Sequence, residues 1–117
     1  MAEKRVFQES DVAFVPVAWG QTKVLVGTQA GGDADTFYVA ITEYLPGMGH
    51  KMHAHAEEDE VIIIVSGKGY TLSHGVRRDL VPGTVVHIPA GCPHENVPLG
   101  DAPLRALVIK AKLGRLG

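Results

Sequence analysis

Fourteen glycines and seven prolines cut this chain of 117 residues into short runs rich in Val, Ile, Thr and Tyr. No run sustains a 3.6-residue apolar repeat over three turns, so packed helices are excluded as the main architecture. The pattern predicts an all-β sandwich or barrel of many short strands. The predicted strands are Val12 to Val17, Lys23 to Thr28, Thr36 to Tyr44, Lys51 to His55, Glu60 to Val65, Lys68 to Ser73, Val76 to Leu80, Thr84 to Ile88, a strand restarting at His94, and Pro103 to Lys112. Pro16 marks the first as an edge segment, because a proline cannot donate to a central ladder. Pro46-Gly47, Ser66-Gly67 and Pro82-Gly83 read as turns, and His74-Gly75 as a tight hairpin. With no linker, low-complexity stretch or internal repeat, residues 1–117 read as one unit. Segment 1–20 is an edge or dimer-interface strand within it.

One strand is apolar on both faces. Alternation along Glu60-Val61-Ile62-Ile63-Ile64-Val65 places Glu60, Ile62 and Ile64 on one side and Val61, Ile63 and Val65 on the other. One row fills the core, and the second needs a cover, either the chain's own N-terminal segment or a second subunit. The expectation is a homodimer. Eleven basic against thirteen acidic residues give a net charge of −2, which disfavours a nucleic-acid partner held by phosphate contacts. No apolar run approaches the ~18 residues of a membrane helix, and no apolar leader follows Met1, so the expected location is cytoplasmic, away from membranes. Cys92 is the one cysteine, which rules out an intramolecular disulfide.

The chemistry-bearing residues lie between Gly47 and His94. On a strand, His53 and His55 leave the same face about 6.6 Å apart, close enough for both imidazoles to reach one ion. Glu60 shares the inward row with Ile62 and Ile64, where a lone carboxylate is costly to desolvate and a bound cation removes the cost. His94 follows the rigid loop Pro89 to Pro93 and is a fourth candidate. Three imidazoles and a carboxylate suit Fe, Mn, Ni, Co or Zn rather than Ca or Mg. Four protein ligands on an octahedral ion leave two positions for water, dioxygen or a bidentate substrate.

These residues fall at the spacings of two known motifs. Gly47, His53, His55, Glu60 and Gly67 match G(X)5HXH(X)3,4E(X)6G, and Gly83, Pro89, Gly91 and His94 match the first four positions of G(X)5PXG(X)2H(X)3N. The chain thereby resembles the cupin superfamily, in particular its small single-domain bacterial members. It departs at the last position, where Pro98 replaces the asparagine and Asn96 lies two residues earlier. The resemblance implies a jelly-roll barrel and a divalent transition metal held by His53, His55, Glu60 and His94. It leaves the reaction open. The leading expectation is a metal-dependent enzyme, oxygenase-type, acting on a small oxygenated organic substrate. The alternatives are a cupin isomerase, epimerase, lyase or decarboxylase, or a non-catalytic small-molecule sensor.

Other residues carry less defined expectations. His50 is a candidate for the pocket mouth or an exposed loop histidine. Tyr38 and Tyr44 share a face with Ala40 and Thr42, and either phenol lines the pocket or packs in the core. His87 is read as structural and His74 as a solvated turn residue. Arg77, Arg78 and Asp79 form an exposed strand. Cys92 reads as a small buried filler, with no activating base apparent.

Overall fold

The structure is a computed structural model that describes residues 6–27, 37–48, 50–53 and 58–112. Among the described residues, ten strands follow a short 3-10 turn at Glu9–Asp11: β1 (Val15–Val17), β2 (Gly20–Val26), β3 (Phe37–Tyr44), β4 (His50–His53), β5 (Glu58–Ser66), β6 (Lys68–Ser73), β7 (Val76–Leu80), β8 (Val85–Ile88), β9 (His94–Leu99) and β10 (Leu104–Lys112). They form two antiparallel sheets, a six-stranded one ordered β1-β2-β3-β10-β5-β8 and a four-stranded one ordered β4-β9-β6-β7. Among the described residues no helix is long and apolar enough to cross a membrane.

Alternation along the strands decides what lies between the sheets. Glu60, Ile62 and Ile64 of β5 are buried, whereas Val61 and Ile63 are half-buried and Val65 is exposed, as the sequence pattern predicts. Leu104, Ala106 and Val108 of β10 pair with Tyr44, Thr42 and Ala40 of β3 and continue the same inner face. Ile88 of β8 and Leu80 of β7 close the core. β1 lies at a sheet edge, where Pro16 costs no ladder bond. At the β6–β7 turn His74 and Gly75 both take positive φ (52° and 73°), the requirement of a type I′ hairpin. Gly67 closes the β5–β6 turn at φ 83°, where a Cβ would stand 2.2 Å from the Pro103 carbonyl oxygen. No other residue fits there.

Several predicted strand bounds shift: β1 begins at Val15 and not Val12, and β2 begins at Gly20 and not Lys23, where it pairs with Tyr44 of β3. The acidic corner at Glu57 to Asp59 is partly strand. Glu58 and Asp59 extend β5 because Lys112 and Ala111 of the long β10 stand opposite them, and the Ala90 amide donates to Asp59 Oδ1 at 2.9 Å. Pairing overrides the low strand propensity of acidic residues. Pro98 lies within β9 and faces Gly69 of β6, and on the other side β4 pairs only as far as His50↔Asn96, so the missing amide falls beyond the β4 ladder. The predicted strand over Lys51 to His55 is described as His50–His53, with 54–57 outside the described residues.

The outward face of the six-stranded sheet is covered at one end by the N-terminal segment. Lys23 is 4% exposed; its ammonium donates to the Glu9 carbonyl at 2.6 Å and to the Glu9 carboxylate, and lies 4.7 Å from the Phe14 ring centre. Arg105 bridges Glu9 at 2.9 Å and Glu43 at 3.0 Å. Farther along, Val61, Ile63, Leu107 and Ile109 are half-buried and Val85 is 62% exposed. The N-terminal segment thus covers this face at Lys23 of β2 and Arg105 of β10, whereas Val65 of β5 is 52% exposed.

Candidate metal centre

Two of the four predicted ligands come from opposite sheets and meet. Glu60 ends the inward row of β5, and His94 opens β9; their side chains are 6% and 1% exposed, and His94 Nε2 lies 3.2 Å from Glu60 Oε1. The loop before β9 fixes the ring. Cys92 N donates to the Pro89 carbonyl at 3.1 Å, Gly91 takes φ 80°, and the Cys92 carbonyl then accepts from His94 Nδ1 at 3.1 Å. That bond places a proton on Nδ1 and presents Nε2 to Glu60. Burial pulls the imidazole towards the neutral form, but the Glu60 hydrogen bond and the Cys92 carbonyl outweigh it, so the net shift is upward.

The donor pair fits a divalent metal. A carboxylate oxygen and an imidazole nitrogen, both buried and 3.2 Å apart, are donor atoms that a transition ion would accept. The Nδ1–carbonyl bond supplies the outer contact that metal-bound histidines use to fix their orientation. β4 pairs with β9 so that His53 stands directly opposite His94 and His50 opposite Asn96. The strand register thus brings a third member of the quartet beside the second. The side chains of His53 and His50, and all of His55, lie outside what the structure describes. His50 is a strand residue of β4, in place of the loop position considered from sequence.

On the same face of β9 as His94, Asn96 is 2% exposed and its Nδ2 donates to the Tyr44 hydroxyl at 3.3 Å. Tyr44 is buried in the core and stacked on Trp19 with ring centres 4.9 Å apart. Burial, then the Glu60 charge, holds its phenol well above the usual range, so it stays protonated. Tyr38 stands opposite Lys110 on the row that continues to Glu60, and Lys110 Nζ lies 4.8 Å from the Tyr38 ring centre. Burial also raises the Tyr38 phenol. Of the two phenols weighed from sequence, Tyr44 packs in the core, and Tyr38 is half-buried against the core's edge, beside Lys110.

Sequence reasoning passed over Asn96 and Lys110 as site residues. The signal for Lys110 was the alternation Leu104, Ala106, Val108, Lys110, which carries one charge on an otherwise apolar inward row. His87 points outward, 60% exposed and 3.7 Å from Asp59, apart from the site. Arg77, Arg78 and Asp79 are exposed on β7. Cys92 corrects its expectation: it is half-buried against the core edge, 3.2 Å from Ser73 Oγ, and the exposed His74 ring lies 3.8 Å from the sulfur. The hairpin brings together an imidazole and a thiol 18 residues apart, which no local pattern announces.

Solved structures of the same shape include a protein described as a predicted oxalate decarboxylase from Thermotoga maritima. It is 21% identical with a TM-score of 0.80, over 92% of this chain and 99% of that one. The cupin domain of Cnp3 from Schizosaccharomyces pombe is 13% identical with a TM-score of 0.79, over 92% of this chain and 74% of that one. KdgF from a Halomonas species is 18% identical with a TM-score of 0.78, over 98% of this chain and all of that one. At these identities the likeness is one of fold. No curated protein sequence matches the chain. The sequence pattern of the cupin domain matches residues 40–110, which hold both motifs and both sides of the Glu60–His94 contact, and the chain belongs to the cupin family.

Proposed function

We propose that this cupin is a metal-dependent enzyme acting on a small oxygenated organic substrate through a divalent transition ion (Fe, Mn, Ni, Co or Zn) held by His53, His55, Glu60 and His94. The observation that carries the reading is the buried carboxylate and buried imidazole, 3.2 Å apart between two sheets, with the ring fixed from behind by the Cys92 carbonyl. Such an ion supplies Lewis-acid polarisation of a carbonyl or enolate, or redox chemistry with dioxygen. The chain's own residues do the rest. Glu60 and His94 present their donor atoms from opposite walls. Ile62, Ile88 and Val108 keep the interior apolar and strengthen electrostatic contacts within it. Tyr44 and Asn96 supply a polar, protonated pair.

The reaction class we favour is oxygenase-type with Fe(II). Elemental analysis of protein purified without chelator is expected to show about one equivalent of transition metal. The Fe(II)-loaded protein is expected to consume oxygen with at least one member of a panel of diketones, phenols and thiols. Absence of metal removes the proposal, and metal without oxygen uptake moves it to isomerase, lyase or decarboxylase chemistry. The oxalate decarboxylase description of the Thermotoga protein favours that second reading.

We also propose a homodimer whose interface covers Val61, Ile63 and Val85 on the outward sheet face. The N-terminal segment covers the opposite end of that face, while Val85 and Val65 are 62% and 52% exposed. Sedimentation at micromolar concentration should give a dimer mass, and a single monomeric species would rule the interface out.

A further inference from the structure

We propose that Lys110, held over Tyr38, is the docking point for an anionic group, a carboxylate or a phosphate, on the ligand that the Glu60–His94 site receives. The inference rests on the reading that this site faces a ligand. Lys110 follows Leu104, Ala106 and Val108 on the inward row of β10, with Tyr38 on one side and Glu60 on the other. Its ammonium lies 4.8 Å from the Tyr38 ring centre. It is not the counter-ion of Glu60: the carboxylate oxygen meets His94 at 3.2 Å, and no described carboxylate lies within 4.0 Å of the lysine. Glu58, the other acid on this row, stands opposite Lys112 in the ladder.

Charge balance gives the ligand its sign. A divalent ion met by one carboxylate keeps a net positive charge, and Lys110 adds another across the next strand. With that ion in place, two positive centres would stand on adjacent strands among apolar side chains and draw an anion. The Tyr38 ring holds the ammonium, which therefore loses less freedom on binding than that of a free surface lysine. A ligand that reaches the ion with one oxygen atom can therefore rest a second, charged group on Lys110.

The test is isothermal titration of wild-type, Lys110→Met and Lys110→Arg proteins with malonate, inorganic phosphate and glycerol. Metal content and melting temperature are measured on the same samples. The expected result is that Lys110→Met keeps its metal and its melting temperature but binds the preferred anion about 10- to 100-fold more weakly, the range of one charge-assisted hydrogen bond. Lys110→Arg should restore most of that affinity, and glycerol should not distinguish the three. Whichever of malonate and phosphate shows the loss identifies the group. Equal anion affinity in wild type and Lys110→Met, or no anion binding by wild type, overturns the inference. Absence of metal from the wild type instead overturns the metal reading, while the lysine-dependent difference still decides this one. Should Lys110→Met fold poorly, Lys110→Gln is the neutral variant.

Discussion

Replacing His94 with alanine is expected to remove most of the bound metal and to cost the metal-free protein about 3–5 kcal/mol, the range for breaking a buried ion pair by deleting one partner. Two effects add. The ring is 1% exposed and among the largest fully buried side chains, so its removal leaves a cavity that rigid strands do not refill. Glu60, 6% exposed at its side chain, loses the imidazole 3.2 Å away and stays beneath the surface. Inductively coupled plasma analysis and thermal denaturation measure both. His53→Ala should lower metal content in the same way, since its backbone stands directly opposite His94. Wild-type metal content in His94→Ala would place the ion elsewhere and sink the proposed centre.

Much of this was legible in the chain because strands write their faces in alternate residues. Glu60, Ile62 and Ile64 read as one inward row from sequence, and all three are buried. The His74-Gly75 hairpin was legible because both residues are suited to positive φ. What was hidden depends on which strand lies beside which. Glu58 and Asp59 look like a solvated corner until β10 is laid next to them. Pro98 stands where the motif has an asparagine, and only the ladders show that it sits in β9 opposite Gly69, beyond the β4 pairing. The same holds at the site. The Glu60–His94 meeting was anticipated through motif spacing, but Lys110 lies 50 residues from Glu60 and joins it only through the β5–β10 ladder. Nothing local couples Cys92 to His74 either; two turns at one end of the barrel do.

The pH dependence of stability should reverse sign with the metal. In the metal-free protein the His94 imidazole is raised above its ordinary value near 6.5 by Glu60 and the Cys92 carbonyl, which overcome the opposing effect of burial. A group whose folded value is raised stabilises the fold fully below its unfolded value, and that contribution is lost as pH climbs through the folded one. Chelator-treated protein should therefore lose melting temperature as pH rises from the ordinary imidazole value of 6.5 into the alkaline range. A metal at Nε2 competes with the proton for the same lone pair, so its binding strengthens over the same interval, and metal-loaded protein should gain melting temperature. Glu9 does not confuse the comparison. Its hydrogen bond with Lys23, against a smaller effect of burial, lowers its carboxyl below the ordinary value of 4.5, so its contribution is lost only as pH falls through more acid values. Melting curves of both forms across that interval decide the matter: divergence places His94 at the ion, whereas parallel curves mean that proton and metal do not share the site.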